Sequence, residues 1–389
     1  MPGFDPRPPE TYWGLFRRES RITASRRGHA IAVSDPARAE DGLSLDWTID
    51  FDGARTRYSL LRWDDIVGAR FPRSNWRRLR DVPALWWRLR RVGYIRRFQQ
   101  EARRFATVIL GVHWIFLALV LLSLGLATAA MLALPDAARP WSLLAIPLAA
   151  YAILGLIMAL TRGKPLYVAH LVDDTTFTHD HASGAEMRMH GRLDALAERI
   201  RAAEASASEL VLIGHSSSSF LAIEALDRIL AIDPAFGRRG TPVSLVTIGS
   251  VIPWIALDPQ AGEVRRALAR VAEADAIGWL DVRADWDWLS IHLRDPLTAS
   301  GIPSPGPDRP AVIRVRIQDL IDAELLARRK WNLFQMHFQL LMSSRDPAAF
   351  DYIVFVAGPE PIHAMVASAC RPTAAPDAPV LEAVASTLS

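Results

Sequence analysis

Two stretches without a single charged residue dominate the pattern of apolar and polar positions, residues 105–134 and 141–160, joined by the short link Pro135-Asp-Ala-Ala-Arg-Pro. Each is long enough to cross a hydrocarbon core of about 30 Å as a helix. The pattern predicts two membrane spans arranged as a hairpin. A cleaved secretory signal would be a short apolar region at the N-terminus, whereas these runs follow about a hundred mostly polar residues.

Ahead of the spans, residues 9–20 read as a short helix. Residues 30–33, 43–51 and 56–61 read as strands broken by Asp-Pro and Asp-Gly turns. Behind the spans the period alternates. A buried strand at 166–172 precedes a helix at 185–203 with Leu193, Leu196 and Ile200 on one face. A strand at 210–213 leads into a helix at 217–232 that stops before Asp233-Pro234, and strand 243–248, helix 262–274 and strand 278–283 follow. Such alternation predicts an α/β fold with a mostly parallel sheet and helices on both faces. The Pro-rich segment 302–310 reads as a loop. The chain then divides into an N-terminal part of the main domain with extra strands (1–61), a basic aromatic juxtamembrane segment (62–104), the transmembrane hairpin (105–161), the main domain (162–371) and a mobile tail (372–389).

Composition sharpens this reading in three places. Half the residues are hydrophobic, high for a soluble chain, and the two apolar runs account for the excess. The formal net charge is only +3, which excludes a uniformly basic surface, so the positive charge is local. Between Trp76 and Arg104, arginines alternate with Trp86, Trp87, Tyr94 and Phe98, a mixture suited to lipid headgroups. Nucleic acid is not the expected partner, because no nucleic-acid motif accompanies the run. The arginines before the first span, and Arg162 and Lys164 after the second, predict that both ends of the hairpin face the cytoplasm, across the inner membrane from residues 136–140. The one cysteine, Cys370, excludes an internal disulfide.

The candidate chemistry lies in Leu210-Val-Leu-Ile-Gly-His-Ser-Ser-Ser-Ser-Phe, an apolar strand that turns on a serine cluster into a helix. A nucleophilic serine needs such a turn, where its hydroxyl is exposed and a helix N-terminus stabilises an oxyanion. Gly214-His215-Ser216-Ser217-Ser218 resembles the G-x-S-x-G nucleophile elbow of α/β-hydrolases in its lipase-like G-H-S form, with Ser218 replacing the second glycine. The resemblance implies Ser216 as nucleophile and the N–H of Ser217 as an oxyanion donor. In the family's order acid and histidine follow. The segment Trp279-Leu-Asp-Val-Arg-Ala-Asp-Trp-Asp-Trp-Leu-Ser resembles the family's acid-bearing segment and points to Asp287, with Asp285 as the alternative. His337, in Gln-Met-His-Phe, is the expected base, ahead of His292 and His363. Gly3-Phe4-Asp5-Pro6-Arg7 looks like the loop that brings the second oxyanion donor, making Phe4 N–H the candidate. Only Met1-Pro2 precede it, too few for a supporting strand, which leads to the expectation that the natural chain begins upstream. This motif, Arg62-Trp-Asp-Asp-Ile and His337-Phe-Gln-Leu-Leu-Met are also similar to uncharacterised bacterial membrane-anchored hydrolases.

Asp173, Asp174, His179, Asp180 and His181 crowd one stretch but lack standard metal-ligand spacing, and read as a polar loop above the sheet. No metal or cofactor is expected. His113 lies near the cytoplasmic end of its span, within reach of the interface. The sequence therefore suggests a membrane-anchored serine hydrolase of ester or related acyl bonds, with membrane lipids as partners and a lipid ester as a possible substrate. The competing reading is a hydrolase-fold scaffold without catalysis.

Overall fold

The computed structural model describes residues 1–134, 142–161, 167–306 and 309–369. Two sheets organise a mixed α/β chain. The first is antiparallel, with β1 (Ile31–Val33), β2 (Ala37–Arg38) and β4 (Ala54–Leu61) all pairing with β3 (Ser44–Phe51). A two-residue turn joins β3 to β4, and both Asp52 (φ 48°) and Gly53 (φ 89°) take the left-handed backbone such a hairpin requires. The register sets Trp47 opposite Tyr58, and their rings stack at 4.5 Å.

The second sheet is parallel, in the order β5 (Leu210–His215), β6 (Val243–Ile248), β7 (Ile277–Arg283), β8 (Ala311–Arg314). Parallel neighbours need crossovers, supplied by helix Ser218–Ile232 between β5 and β6 and helix Gly262–Glu273 between β6 and β7. The pleat sorts alternate side chains into two cores. Leu245, Ile277 and Trp279 pack with Phe220 and Leu268 on one face. Val246, Ile248, Leu280 and Val282 pack on the other with Phe16 and Trp47, so the N-terminal helix Glu10–Arg27 and the antiparallel sheet cover that side. β5 ends the sheet, and Met1 alone continues its pairing: the terminal amine donates to Ile213 O at 2.7 Å, and the Met1 carbonyl accepts from His215 N at 3.3 Å.

Helices Arg103–Leu132 and Ser142–Thr161 are long and apolar enough to cross a membrane. The first, at 30 residues, is about 45 Å long, more than a hydrocarbon core needs. Its surplus belongs to the domain. Phe105, Ala106, Ile109, Val112 and Phe116 are buried in the same core as Phe98 and Trp254, whereas Leu117, Leu121, Leu122, Leu124 and Leu126 are exposed. His113 is accordingly not at an interface; it is buried, bonded to Ile109 O at 2.7 Å, with its ring against Trp86.

Three other expectations are corrected. Of the strand expected at 166–172, residues 168–172 open a helix, Val168–Ala182. A short apolar run cannot by itself distinguish a strand from a buried helix, and here the helix continues through residues whose polarity argued for a loop. Those residues are buried and partnered: Asp173 by Arg78, His179 by Asp258 and His181 by Glu224. Among the described residues no group of three or more His, Cys, Asp or Glu could hold a metal ion. The basic segment is likewise only partly free for headgroups, since Arg78 and Arg88 turn inward to Asp173 and Asp258 while Trp76, Trp87, Arg90, Arg91, Arg96 and Arg97 stay exposed. Residues 136–140, Arg162, Lys164, Cys370 and the tail lie outside the described residues.

Candidate active site

Ser216 follows β5 directly, with φ at 59°, a left-handed conformation unusual for a non-glycine residue. The strain is held from several sides. Its N–H donates to Ile248 O at 3.1 Å, and its carbonyl accepts from Ser219 N at 2.9 Å. Gly214 is required at the turn because a Cβ there would stand 2.5 Å from Ser218 O and 2.9 Å from Ser219 Cα. Ser218, the departure from the glycine pattern, is fully buried, and its hydroxyl donates to Pro2 O. The extra hydroxyl thus fastens the N-terminal segment beside the turn.

Asp287 and His337 arrive from separate elements. Asp287 sits in a turn after β7, where its N–H donates to Ala284 O at 3.2 Å and its Oδ1 accepts from Leu289 N at 3.0 Å. His337 lies on the short helix Leu333–Phe338, capped by Asn332, whose Oδ1 accepts from Gln335 N at 3.1 Å. The two side chains are buried and joined, His337 Nδ1 to Asp287 Oδ2, at 2.7 Å. That bond leaves Nε2 as the reactive nitrogen, and it has no partner among the described residues. Gly249 (φ 55°) makes room for the pair, since a Cβ there would approach His337 Cε1 to 2.9 Å and Asp287 Oδ2 to 3.3 Å. The His215 ring packs 4.4 Å from that of His337. Burial, with His337 and the amino terminus nearby, holds the His215 pKa well below the ordinary histidine range, so it stays neutral.

Ser216 and His337 line one cavity of about 1380 Å³. No hydrogen bond joins Ser216 Oγ to His337 Nε2, and what the two share is the cavity they line. Ser217 N–H, ahead of helix Ser218–Ile232, and Phe4 N–H both lack an acceptor among the described residues. The two residues before Gly3 hold this loop by a route the sequence did not reveal. Met1 bonds to β5, Pro2 O accepts from Trp63 Nε1 at 2.8 Å, and Gly3 fits so closely that a Cβ would lie 2.9 Å from Ser216 Cβ. Phe4 packs against Trp63, His170 and Phe177.

The alternatives lie elsewhere. Asp285 is exposed, and its carbonyl accepts from Arg104. His292 is buried with no hydrogen-bond partner for its ring among the described residues, and His363 is exposed and bonded to Glu209 at 2.9 Å. Sequence reasoning missed Asp174 and His170, which also line the cavity. Burial, helped by the Asp173 charge, pushes the Asp174 carboxyl well above the usual range, and Ser217 Oγ stands 3.4 Å from its Oδ2. Burial brings His170 down to about 4, so it too is neutral. No signal in one sequence marks these two, because the helix carrying them looked like a strand followed by a loop. No family model, no curated protein and no solved structure matches this chain.

Proposed function

We propose that this chain is a membrane-anchored serine hydrolase of ester or related acyl bonds, with an α/β-hydrolase-like domain on the cytoplasmic side of the inner membrane. The observation that carries the proposal is the left-handed Ser216 at a strand-to-helix turn, sharing a cavity with a buried His337–Asp287 pair bonded at 2.7 Å. In this reading Ser216 Oγ attacks the acyl carbon while His337 Nε2 takes its proton and Asp287 fixes the tautomer. The N–H groups of Ser217 and Phe4 receive the developing oxyanion. Collapse breaks the C–O bond, His337 returns the proton to the leaving alcohol, and a water deprotonated by His337 then frees the acid and restores the serine.

The cavity supports a membrane substrate. Phe105, from the first apolar helix, and Met158 and Ala159, from the second, line it together with Ser216. An acyl chain can therefore reach the serine along surfaces continuous with the two helices. A fluorophosphonate probe on the intact membrane protein should label wild type and leave Ser216→Ala unlabelled; equal labelling rules out this nucleophile. His337→Ala and Asp287→Asn should each reduce ester hydrolysis by roughly a thousandfold or more. Activity that survives loss of His337 and disappears with His363 would identify a different base.

A further inference from the structure

The cavity has a charged wall as well as an apolar one. Arg7, Arg18, Arg73, Arg78 and Arg329 line it, with Asp5 and Asp174 as the acids among the described residues, and Asp174 is held neutral by burial. Three of the arginines are matched locally: Arg7 by Asp5 at 2.6 Å, Arg18 by Glu19 at 2.8 Å and Arg78 by Asp173 at 2.6 Å. The other two are less fully matched. Arg329 Nη1 donates to the neutral Gln339 Oε1 at 3.2 Å, and no carboxylate faces it among the described residues. Arg73 uses Nη2 on Asp81, but that carboxylate also serves Arg80 at 2.6 Å. The Arg73 side chain is 8% exposed, and its buried Nη1 has no acceptor among the described residues. A charged donor buried without an acceptor is costly, and an oxyanion is its strongest partner.

We infer that the substrate is the acyl ester of an anionic amphiphile, whose alcohol part carries a phosphate bound by Arg73 and Arg329 while the acyl chain lies on Phe105, Met158 and Trp254. This inference rests on the serine-hydrolase reading for the reaction, although the anion site itself is separable from it. The apolar residues come from or adjoin the two membrane helices, and Phe105 packs on Trp254 at 5.1 Å. The arginines come from soluble elements: Arg73 precedes helix Asn75–Arg91, and Arg329 ends helix Ala323–Arg329. Apolar and cationic walls meeting at one serine match a single-chain lipid with a charged head.

The test compares 1-oleoylglycerol 3-phosphate with 1-oleoylglycerol, identical at the scissile ester, in mixed micelles with the full-length protein. The phosphate ester should have the higher kcat/KM by roughly tenfold to a hundredfold, the value of one or two charge-assisted hydrogen bonds. The ratio should fall towards one in Arg73→Gln and in Arg329→Gln, through KM, and Arg73→Lys should retain part of it. A ratio of one in wild type, or a ratio unmoved by these substitutions, overturns the inference. Fluorophosphonate labelling identifies any variant that fails to fold, and Arg329→Gln then decides.

If neither ester is cleaved, fluorophosphonate labelling of Ser216 decides whether the hydrolase reading stands, and the anion site is tested separately by binding. The uncleavable 1-O-alkyl ethers of glycerol and of glycerol 3-phosphate are titrated into the Ser216→Ala protein and read by tryptophan fluorescence. At least tenfold tighter binding of the phosphate ether, lost in Arg73→Gln, supports the site; equal binding overturns it. Inorganic phosphate that competes as strongly as the phosphate ether would assign the site to a free anion and overturn the amphiphile.

Discussion

At the scale of single residues, the site depends as much on what is small or neutral as on its reactive groups. Gly249 is the clearest case. With φ at 55° and His337 Cε1 2.9 Å from its absent Cβ, Gly249→Ala has to displace the imidazole or strain the backbone. A displacement of about 1 Å at a catalytic base costs on the order of a hundredfold in rate. Kinetics of Gly249→Ala should show that loss in kcat, and full activity would mean the His337–Asp287 pair is not held from this side. Asp174 offers a pH-dependent counterpart. Because burial raises its folded pKa above the unfolded value of about 3.9, its favourable contribution is complete below that value. It is lost as pH rises through the folded pKa, leaving a buried carboxylate. Thermal unfolding of Asp174→Asn should therefore show a Tm gain over wild type that grows from pH 5 to pH 9. A gain that shrinks with pH would reverse the assignment.

At the scale of elements, ion pairs decide how the segments before and after the first apolar helix meet. Helix Asn75–Arg91 sends Arg78 into Asp173 on the buried helix Val168–Ala182, and Arg88 to Asp258 at 2.9 Å. Burial alone would raise the Asp258 pKa, but hydrogen bonds from His179 and Arg88 win and hold it below the ordinary range. Removing one member of a buried pair leaves an uncompensated charge, so Arg78→Ala should cost about 3–5 kcal/mol in denaturant unfolding. A cost below about 1 kcal/mol would show the pair to be solvated. The same helices mark where the sequence stops being legible. Strands β5, β6 and β7 with their crossover helices could be read because short apolar runs alternate with stretches of period 3.6, and the turn at Ser216 carried a motif. Val168–Ala182 could not, because a helix buried almost all round has no polar face to set its period. β8 was missed because four residues after a Pro-rich loop are too few to show alternation. Gly249 and Arg73 matter only through neighbours distant in the chain, which no local pattern records.

For the whole molecule, the two helices long and apolar enough to cross a membrane adjoin the cavity that holds Ser216. Reporter fusions at the N-terminus and after Arg162 should both read cytoplasmic, with residues 136–140 on the opposite side, on the charge asymmetry of their flanks. A cytoplasmic link would break the hairpin arrangement. The first apolar helix is also part of the domain, since Phe105, Ile109, Val112 and Phe116 fill the same core as Phe98 and Trp254. Helix and domain thus share one hydrophobic core. Excising residues 103–161 to obtain a water-soluble fragment would uncover the aromatic trough of Phe98 and Trp254, against which Phe105 packs. Such a fragment should aggregate rather than dissolve, because the trough is filled by the helix that the excision removes.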